Sequence, residues 1–130
     1  MRHPSLEKWE DKLRKIFYQI DDILEDKYGG LYPLKPGRKP RGVAPTNDAD
    51  GLFDLGVNFS GGFGSQLGPG YVFRVGIATL EHIPPTVRAE IESFTIELIR
   101  EKLKEAFPEN ELSVSRDGNI FKIYGDLSLN

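Results

Sequence analysis

The chain has 130 residues, enough for a hydrophobic core of its own, and we expect residues 1–130 to form a single domain. A net charge of −3 gives it no general attraction to nucleic acid or to an anionic membrane surface. It contains no cysteine, which excludes disulfides, thiolate nucleophiles and thiolate metal ligands.

The first residues are charged and amphipathic, without the apolar stretch of a secretory signal. No run approaches the roughly 18 apolar residues that a membrane span requires. We therefore expect a cytoplasmic protein that does not enter a membrane.

A long helix is predicted from residue 5 to residue 28, ending at two glycines. Apolar residues recur there at steps of three and four, and charged residues such as Asp21 and Asp22 fall mostly on the other faces. The apolar stripe consists of Trp9, Leu13, Ile16, Phe17, Ile20, Ile23 and Leu24. Residues 29–50 are rich in proline and glycine, which predicts an extended connection over the surface.

Two alternating segments, residues 52–60 and 71–80, predict a β-hairpin with a glycine-rich tip. Eight of the fourteen glycines lie between residues 51 and 76, where they allow close approach of another backbone or a ligand. The side chains expected to face the core are Phe53, Leu55, Val57, Phe59, Phe73, Val75 and Ile77. Those expected to face outward are Asp54, Gly56, Asn58, Ser60, Arg74, Gly76 and Ala78.

A second helix is predicted from about residue 85 to residue 107, between Pro84-Pro85 and Pro108. The residues expected to face the core are Val87, Ile91, Phe94, Leu98, Ile99, Leu103 and Ala106. Residues 111–116 and 119–127 predict a last hairpin, because Asp117-Gly118 suits a two-residue type I′ turn. That turn sets Val114 opposite Phe121 and Leu112 opposite Ile123.

The element order is therefore α-β-β-α-β-β. This order predicts an α+β two-layer sandwich, with a four-stranded, mostly antiparallel sheet covered by two long helices on one face. The helix between the second and third strands makes those two strands parallel, with another strand between them.

The glycine-rich tip is the first candidate site, through Gly62, Gly64, Ser65 and Gln66. It is not a dinucleotide fingerprint, because Leu67 stands where the third glycine belongs and no helix follows. A flexible tip is the favoured interpretation. The alternatives are a loop that contacts a partner or one whose amides bind an anion.

The outward face of the same hairpin is the second candidate, with Asp54, Asn58 and Arg74 as its polar groups. Small residues beside them would let a second subunit or a flat ligand approach. A cross-strand ion pair between Asp54 and Arg74 would account for the two charges without any partner.

The remaining polar clusters are weaker. Lys35, Arg38, Lys39 and Arg41 form a basic segment without interleaved aromatic residues, which favours a solvated linker over nucleic-acid binding. The aspartates of residues 48–54 lack the glutamate of a calcium loop, so no metal and no cofactor is predicted. His82 lies next to Glu81 without a nucleophile nearby, so catalysis there is disfavoured.

Three hypotheses follow, and non-enzymatic function is favoured. The first is a binding or assembly module that acts through the glycine-rich hairpin, as a homodimer or with another protein. The second is a small-molecule or anion site, as a binding protein or an enzyme, in the Gly62–Gly70 loop with Arg74 and His82. The third, disfavoured, is weak nucleic-acid binding through Lys35–Arg41. The hairpin and the closing GDLSLN resemble an uncharacterised bacterial family, which implies no activity.

Overall fold

The computed structural model describes residues 4–45, 49–61 and 67–127, which form a mixed α+β fold with two helices. The elements are α1 (Pro4–Tyr28), β1 (Phe53–Asp54), β2 (Val57–Ser60), β3 (Gly70–Phe73), β4 (Gly76–Ile77), α2 (Pro85–Ala106), β5 (Leu112–Asp117) and β6 (Ile120–Gly125). The predicted fold class is confirmed, although each strand of the first hairpin is divided into two short strands. No helix in the described ranges is long and apolar enough to cross a membrane.

Helix α1 buries the apolar stripe that its spacing predicts. Six of the seven stripe residues are buried, and Ile23 is half-buried. The buried face also includes two carboxylates, Asp21 (4% exposed) and Glu25 (8% exposed). The assignment of Asp21 to a solvent-facing side was therefore wrong. Phe17, Asp21 and Glu25 are spaced four residues apart, so all three lie on the same side of the helix, and the buried face includes this side.

Helix α2 begins at Pro85 and ends just before Pro108, as the prolines predict. Its fully buried residues recur at every fourth position: Ile91, Thr95, Ile99 and Leu103. The other residues predicted to face the core, such as Phe94 and Leu98, are half-buried. The Thr95 hydroxyl donates to the Ile91 carbonyl at 2.7 Å, so its burial leaves no unpaired donor.

The main sheet has the strand order β2-β3-β6-β5, and every neighbouring pair is antiparallel. Strand β6 therefore lies between β3 and β5, which run parallel to each other. This confirms the parallel pair with an intervening strand that the crossover helix predicts.

One face of the sheet forms the core together with both helices. Phe73 lies at its centre, with ring centroids 5.2 Å from Phe17 and 5.5 Å from Phe121. Trp9 stacks on Phe107 at 3.9 Å. Because these contacts all lie on one face, neither helix covers the opposite, outer face of the sheet.

The first hairpin is interrupted midway along its length. A two-stranded ladder pairs Phe53 with Ile77 and Asp54 with Gly76, and the β2–β3 ladder resumes at Val57. Leu55–Gly56 and Arg74–Val75 belong to neither ladder.

Two side chains of this hairpin depart from the predicted alternation. Phe59 is 48% exposed, since it lies on the edge strand β2, where Tyr71 contacts its ring from the side of the sheet. Ala78, predicted to face outward, is buried between two backbone segments. Its amide donates to the Leu52 carbonyl, and its carbonyl accepts a hydrogen bond from the Lys35 amide.

The last hairpin forms with a register different from the predicted one. Val114 pairs with Ile123, and Asp117 pairs with Ile120, so the two-residue loop is Gly118–Asn119. Gly118 has a φ of 68° and no non-glycine residue described has a positive φ, which matches a type II′ turn with glycine first. The pairing slides by two residues, so the same side chains still face the core.

Candidate functional site

The outer face of the sheet carries a hollow where the first hairpin is interrupted. Its volume is about 320 Å³. The lining residues are Asp54, Gly56, Asn58, Val72, Phe73, Arg74, Gly76 and Ile120. The structure thus brings together the three polar residues that the sequence predicts for the outward face.

Asp54 and Arg74 share this hollow without pairing. The Asp54 carboxylate accepts a hydrogen bond from the Gly56 amide at 3.2 Å. Arg74 makes no hydrogen bond or ion pair within the part of the chain that the structure describes. The register explains this, because Gly76 and not Arg74 lies opposite Asp54. The expected intramolecular ion pair is therefore not formed, and both charges face solvent.

Two glycines near the hollow have an internal explanation. A Cβ atom on Gly76 would lie 3.0 Å from the Asp54 carbonyl oxygen, and one on Gly70 would collide with the carbonyl oxygen of Ile123. These glycines allow neighbouring strands to approach each other. Their small size is therefore no evidence for an external partner, and what distinguishes the hollow is its pair of unmatched charges.

Lys122 lies on the same outer face, next to the hollow, and is buried (1% exposed). Its Nζ donates to the Gly68 carbonyl at 2.7 Å and lies 3.6 Å from the Asp117 carboxylate. These two oxygens compensate the burial of the ammonium group. The segment at Gly68 therefore packs onto the sheet at this point.

Of the other predicted site residues, only His82 lies in the described part of the chain. Gly62, Gly64, Ser65 and Gln66 lie outside the described residues. His82 is exposed in the loop before α2 and is not among the described residues that line the hollow. The hollow therefore contains Arg74 without His82, and the predicted site that combines both with the Gly62–Gly70 loop stays a prediction.

The connecting segment, described at residues 29–45 and 49–52, is held against α1 by polar contacts. The Arg41 guanidinium binds the carboxylates of Asp26 at 2.7 Å and Asp22 at 3.3 Å. Arg38 donates to three carbonyl oxygens, those of Asp50, Gly51 and Phe53, at 2.9 to 3.1 Å. Two of the four basic residues of this segment thus have internal partners, which disfavours the nucleic-acid hypothesis.

A carboxylate cluster lies beneath this segment and consists of Asp21, Glu25 and Asp50, all buried. Glu25 accepts the Phe53 amide at 2.9 Å. Asp50 accepts the amides of Gly42 at 2.9 Å and Ala44 at 3.0 Å. These bonds fix the path of the chain from α1 into β1.

Asp21 is the exceptional member of the carboxylate cluster, because its Oδ1 is buried without a hydrogen-bond partner. Burial, and after it the carboxylates of Glu25, Asp22 and Asp50, raise the pKa of Asp21 from 3.8 to about 7 in spite of Arg41, which lowers it. Sequence reasoning missed this cluster, although the spacing of Phe17, Asp21 and Glu25 along one helical row was a usable signal.

Metal ligation finds no support in the described ranges, where no group of three or more histidine, aspartate or glutamate side chains converges as metal ligands do. Glu25 and Asp50 instead direct carboxylate oxygens toward backbone amides.

The fold and the hollow define a two-layer α+β domain with a polar recess on the helix-free face of its sheet. The chain belongs to a family whose description is "uncharacterised protein", and the family model matches residues 4–125. It is 35% identical over 125 residues to an uncharacterised protein of Borreliella burgdorferi, covering 96% of this chain and 98% of that protein. No solved structure matches it significantly.

Proposed function

We propose that this protein is a binding module that assembles into a homodimer through the outer face of its sheet. The observation that carries the proposal is the Asp54–Arg74 pair of unmatched charges in one open hollow. In a twofold dimer, residue i of one subunit contacts residue j of the other and the reverse holds as well. Arg74 of each subunit would then bind Asp54 of the other.

The shape and composition of the surface support this arrangement. Neither helix covers the outer face, and the half-buried Val72 and Ile120 supply apolar area next to the two charges. Asn58 is exposed at the same site and offers a donor and an acceptor for the partner. Asn58 and Arg74 are both exposed in the single chain, as surface residues of an unassembled subunit must be.

Charge exchange tests the proposal directly. Asp54→Arg or Arg74→Asp alone would place like charges against each other across the twofold axis, and we expect the dimer dissociation constant to rise about tenfold or more. The double variant D54R/R74D restores opposite charges and should recover the wild-type constant. Sedimentation equilibrium over the micromolar range measures all four proteins.

The matched control is the exchange of Asp11 and Arg14, an exposed ion pair at 2.9 Å on α1. D11R/R14D and its single variants should leave the dimer unchanged. A wild-type protein that stays monomeric at about 100 µM would refute the proposal. So would a double variant that fails to recover association while retaining its secondary structure by circular dichroism.

A second candidate is an anion site in the same hollow, since about 320 Å³ suits a small ligand and Arg74 is unmatched. Inorganic phosphate or acetate would then raise the melting temperature by mass action. Arg74→Gln should abolish that rise, whereas Arg14→Gln should not. A bulky anion bound to Arg74 should also weaken the dimer, because the second subunit would use the same guanidinium.

A further inference from the structure

The buried carboxylate cluster lies apart from the proposed contact surface, and one of its carboxyl oxygens lacks a hydrogen-bond donor. Asp21, Glu25 and Asp50 are each more than nine-tenths buried, yet Glu25 and Asp50 have amide donors and Asp21 Oδ1 has none. An ionised carboxylate with an unpaired buried oxygen is costly in such a site, and a protonated carboxyl costs much less. The cluster is therefore stable in this arrangement only while Asp21 holds its proton.

The charged groups around Asp21 come from two elements. From α1 these are Asp22 and Glu25, and from the connecting segment they are Asp50 and Arg41. Three of the four are carboxylates that repel an ionised Asp21, and Arg41 is already bound by Asp22 and Asp26. Ionisation of Asp21 thus produces net repulsion in spite of the guanidinium.

Of the three carboxylates that repel Asp21, only Asp50 is able to move away from it while α1 stays folded. Asp22 and Glu25 share a helix with Asp21 and keep their spacing as long as α1 is folded. Asp50 belongs to the connecting segment, whose polar contacts with α1 include the ion pairs of Arg41 with Asp22 and Asp26 and, at its end, the bond from the Phe53 amide to Glu25. Movement of this segment away from α1 separates Asp50 from Asp21 and admits water to both carboxylates.

We propose that the carboxylate cluster is a proton-controlled anchor, which holds the connecting segment on α1 when Asp21 is protonated and loosens it when Asp21 ionises. The segment carries Arg41, whose guanidinium binds the α1 carboxylates of Asp22 and Asp26. Release would separate this guanidinium from both carboxylates. The anchor is independent of the dimer proposed above, since neither Asp54 nor Arg74 takes part.

Linkage fixes the sign of the effect. The anchored state binds the Asp21 proton more tightly than the released state does, so release becomes easier as the pH rises. The stability of the anchored state changes between the pKa of Asp21 in the released state and its pKa in the anchored state, so the change ends near pH 7. Further alkalinisation should have no additional effect through this group.

Amide hydrogen exchange tests the proposal in the full chain, with NMR detection and correction for the intrinsic exchange rate at each pH. The reporters are the Phe53 amide, which donates to Glu25 on α1, and the Ala44 amide, whose acceptor Asp50 is the carboxylate that release would expose to water. We expect their protection factors to fall at least tenfold from pH 5 to pH 7.5 and to level off above. We also expect them to lie below those of the β6 amides, which report global unfolding.

Two variants isolate the cause. Asp21→Asn mimics the protonated side chain and should remove the pH dependence at Ala44 and Phe53. Asp26→Asn breaks the contact of Arg41 with an exposed carboxylate and should lower protection without removing the pH dependence. The proposal is overturned if the reporters exchange together with β6 at every pH, if they lack protection at pH 5, or if Asp21→Asn keeps the wild-type pH profile.

Discussion

Replacing Asp21 by asparagine should make the protein more stable at neutral pH, by an amount that depends on pH in a defined way. Burial is the main reason that the pKa of Asp21 rises from 3.8 to about 7 in the native state. The native state therefore binds more protons than the unfolded state between these two values, and stability falls as the pH rises through this interval. Asparagine does not titrate and avoids this loss.

The size of the effect follows from the same two values. At 1.36 kcal/mol per pH unit, the full difference amounts to about 4 kcal/mol. Relative to the wild type, D21N should gain less than about 1 kcal/mol at pH 4 and about 4 kcal/mol at pH 7, with a plateau above pH 8. Below pH 3 the two proteins should differ only by what the amide itself contributes.

Urea unfolding between pH 3 and pH 9 measures this difference, with fluorescence of Trp9 as the probe. Trp9 is the one tryptophan of the chain and is 2% exposed, so its emission reports loss of the core. The control is Asp22→Asn, the neighbouring residue, whose exposed carboxylate forms a surface ion pair worth about 0.5 kcal/mol. A stability difference between D21N and wild type that stays within 1 kcal/mol from pH 4 to pH 8 would refute the reasoning.

Three further substitutions test the packing. Gly51→Ala adds a Cβ that collides with the Glu25 carboxylate, at a residue with a positive φ of 70°, and should lower the free energy of unfolding in urea by about 3 kcal/mol. Gly37 also has a positive φ, but a Cβ there would meet open space. A loss above about 1.5 kcal/mol for Gly37→Ala would therefore contradict the explanation by collision. Phe73→Ala should cost about 4 kcal/mol, against about 1 kcal/mol or less for the half-exposed Phe59→Ala, and equal losses would show that the core is misplaced. Lys122→Ala should cost about 2 kcal/mol and leave the Gly68 carbonyl without its donor, whereas an unchanged midpoint would mean that Lys122 does not hold that segment.

Periodicity was sufficient to predict the helices and their order. The recurrence of Trp9, Leu13, Ile20 and Leu24 predicts the buried side of α1, because that spacing has a single helical interpretation. The prolines around α2 predict both of its ends through the missing amide and the fixed φ. The crossover between hairpins follows from connection geometry, and the strand order agrees with it.

Register and strand continuity were beyond such local signals. The Asp117–Gly118–Asn119 stretch accommodates two different two-residue turns, and the contacts of β6 with β3 select the one with Gly118 first. The local sequence at Leu55–Gly56 likewise does not show that the pairing of the first hairpin is interrupted there. Both outcomes depend on what packs against the strand.

The candidate site shows the same division. The sequence alone determined that Asp54, Asn58 and Arg74 share one face of the hairpin, because side chains alternate strictly along a strand. Only the tertiary structure decided that Asp54 lies opposite Gly76 instead of Arg74, which leaves both charges unmatched.

The buried carboxylates are the clearest case. Asp21 is charged, borders an apolar stripe and would face water on an isolated helix. Its burial arises when the described part of the connecting segment packs on α1 and brings Asp50 beside it, and no property of the helix itself specifies that contact. Helical and strand faces are thus determined by repeating local geometry, whereas the pKa of Asp21 is determined by the distant segment that removes it from water.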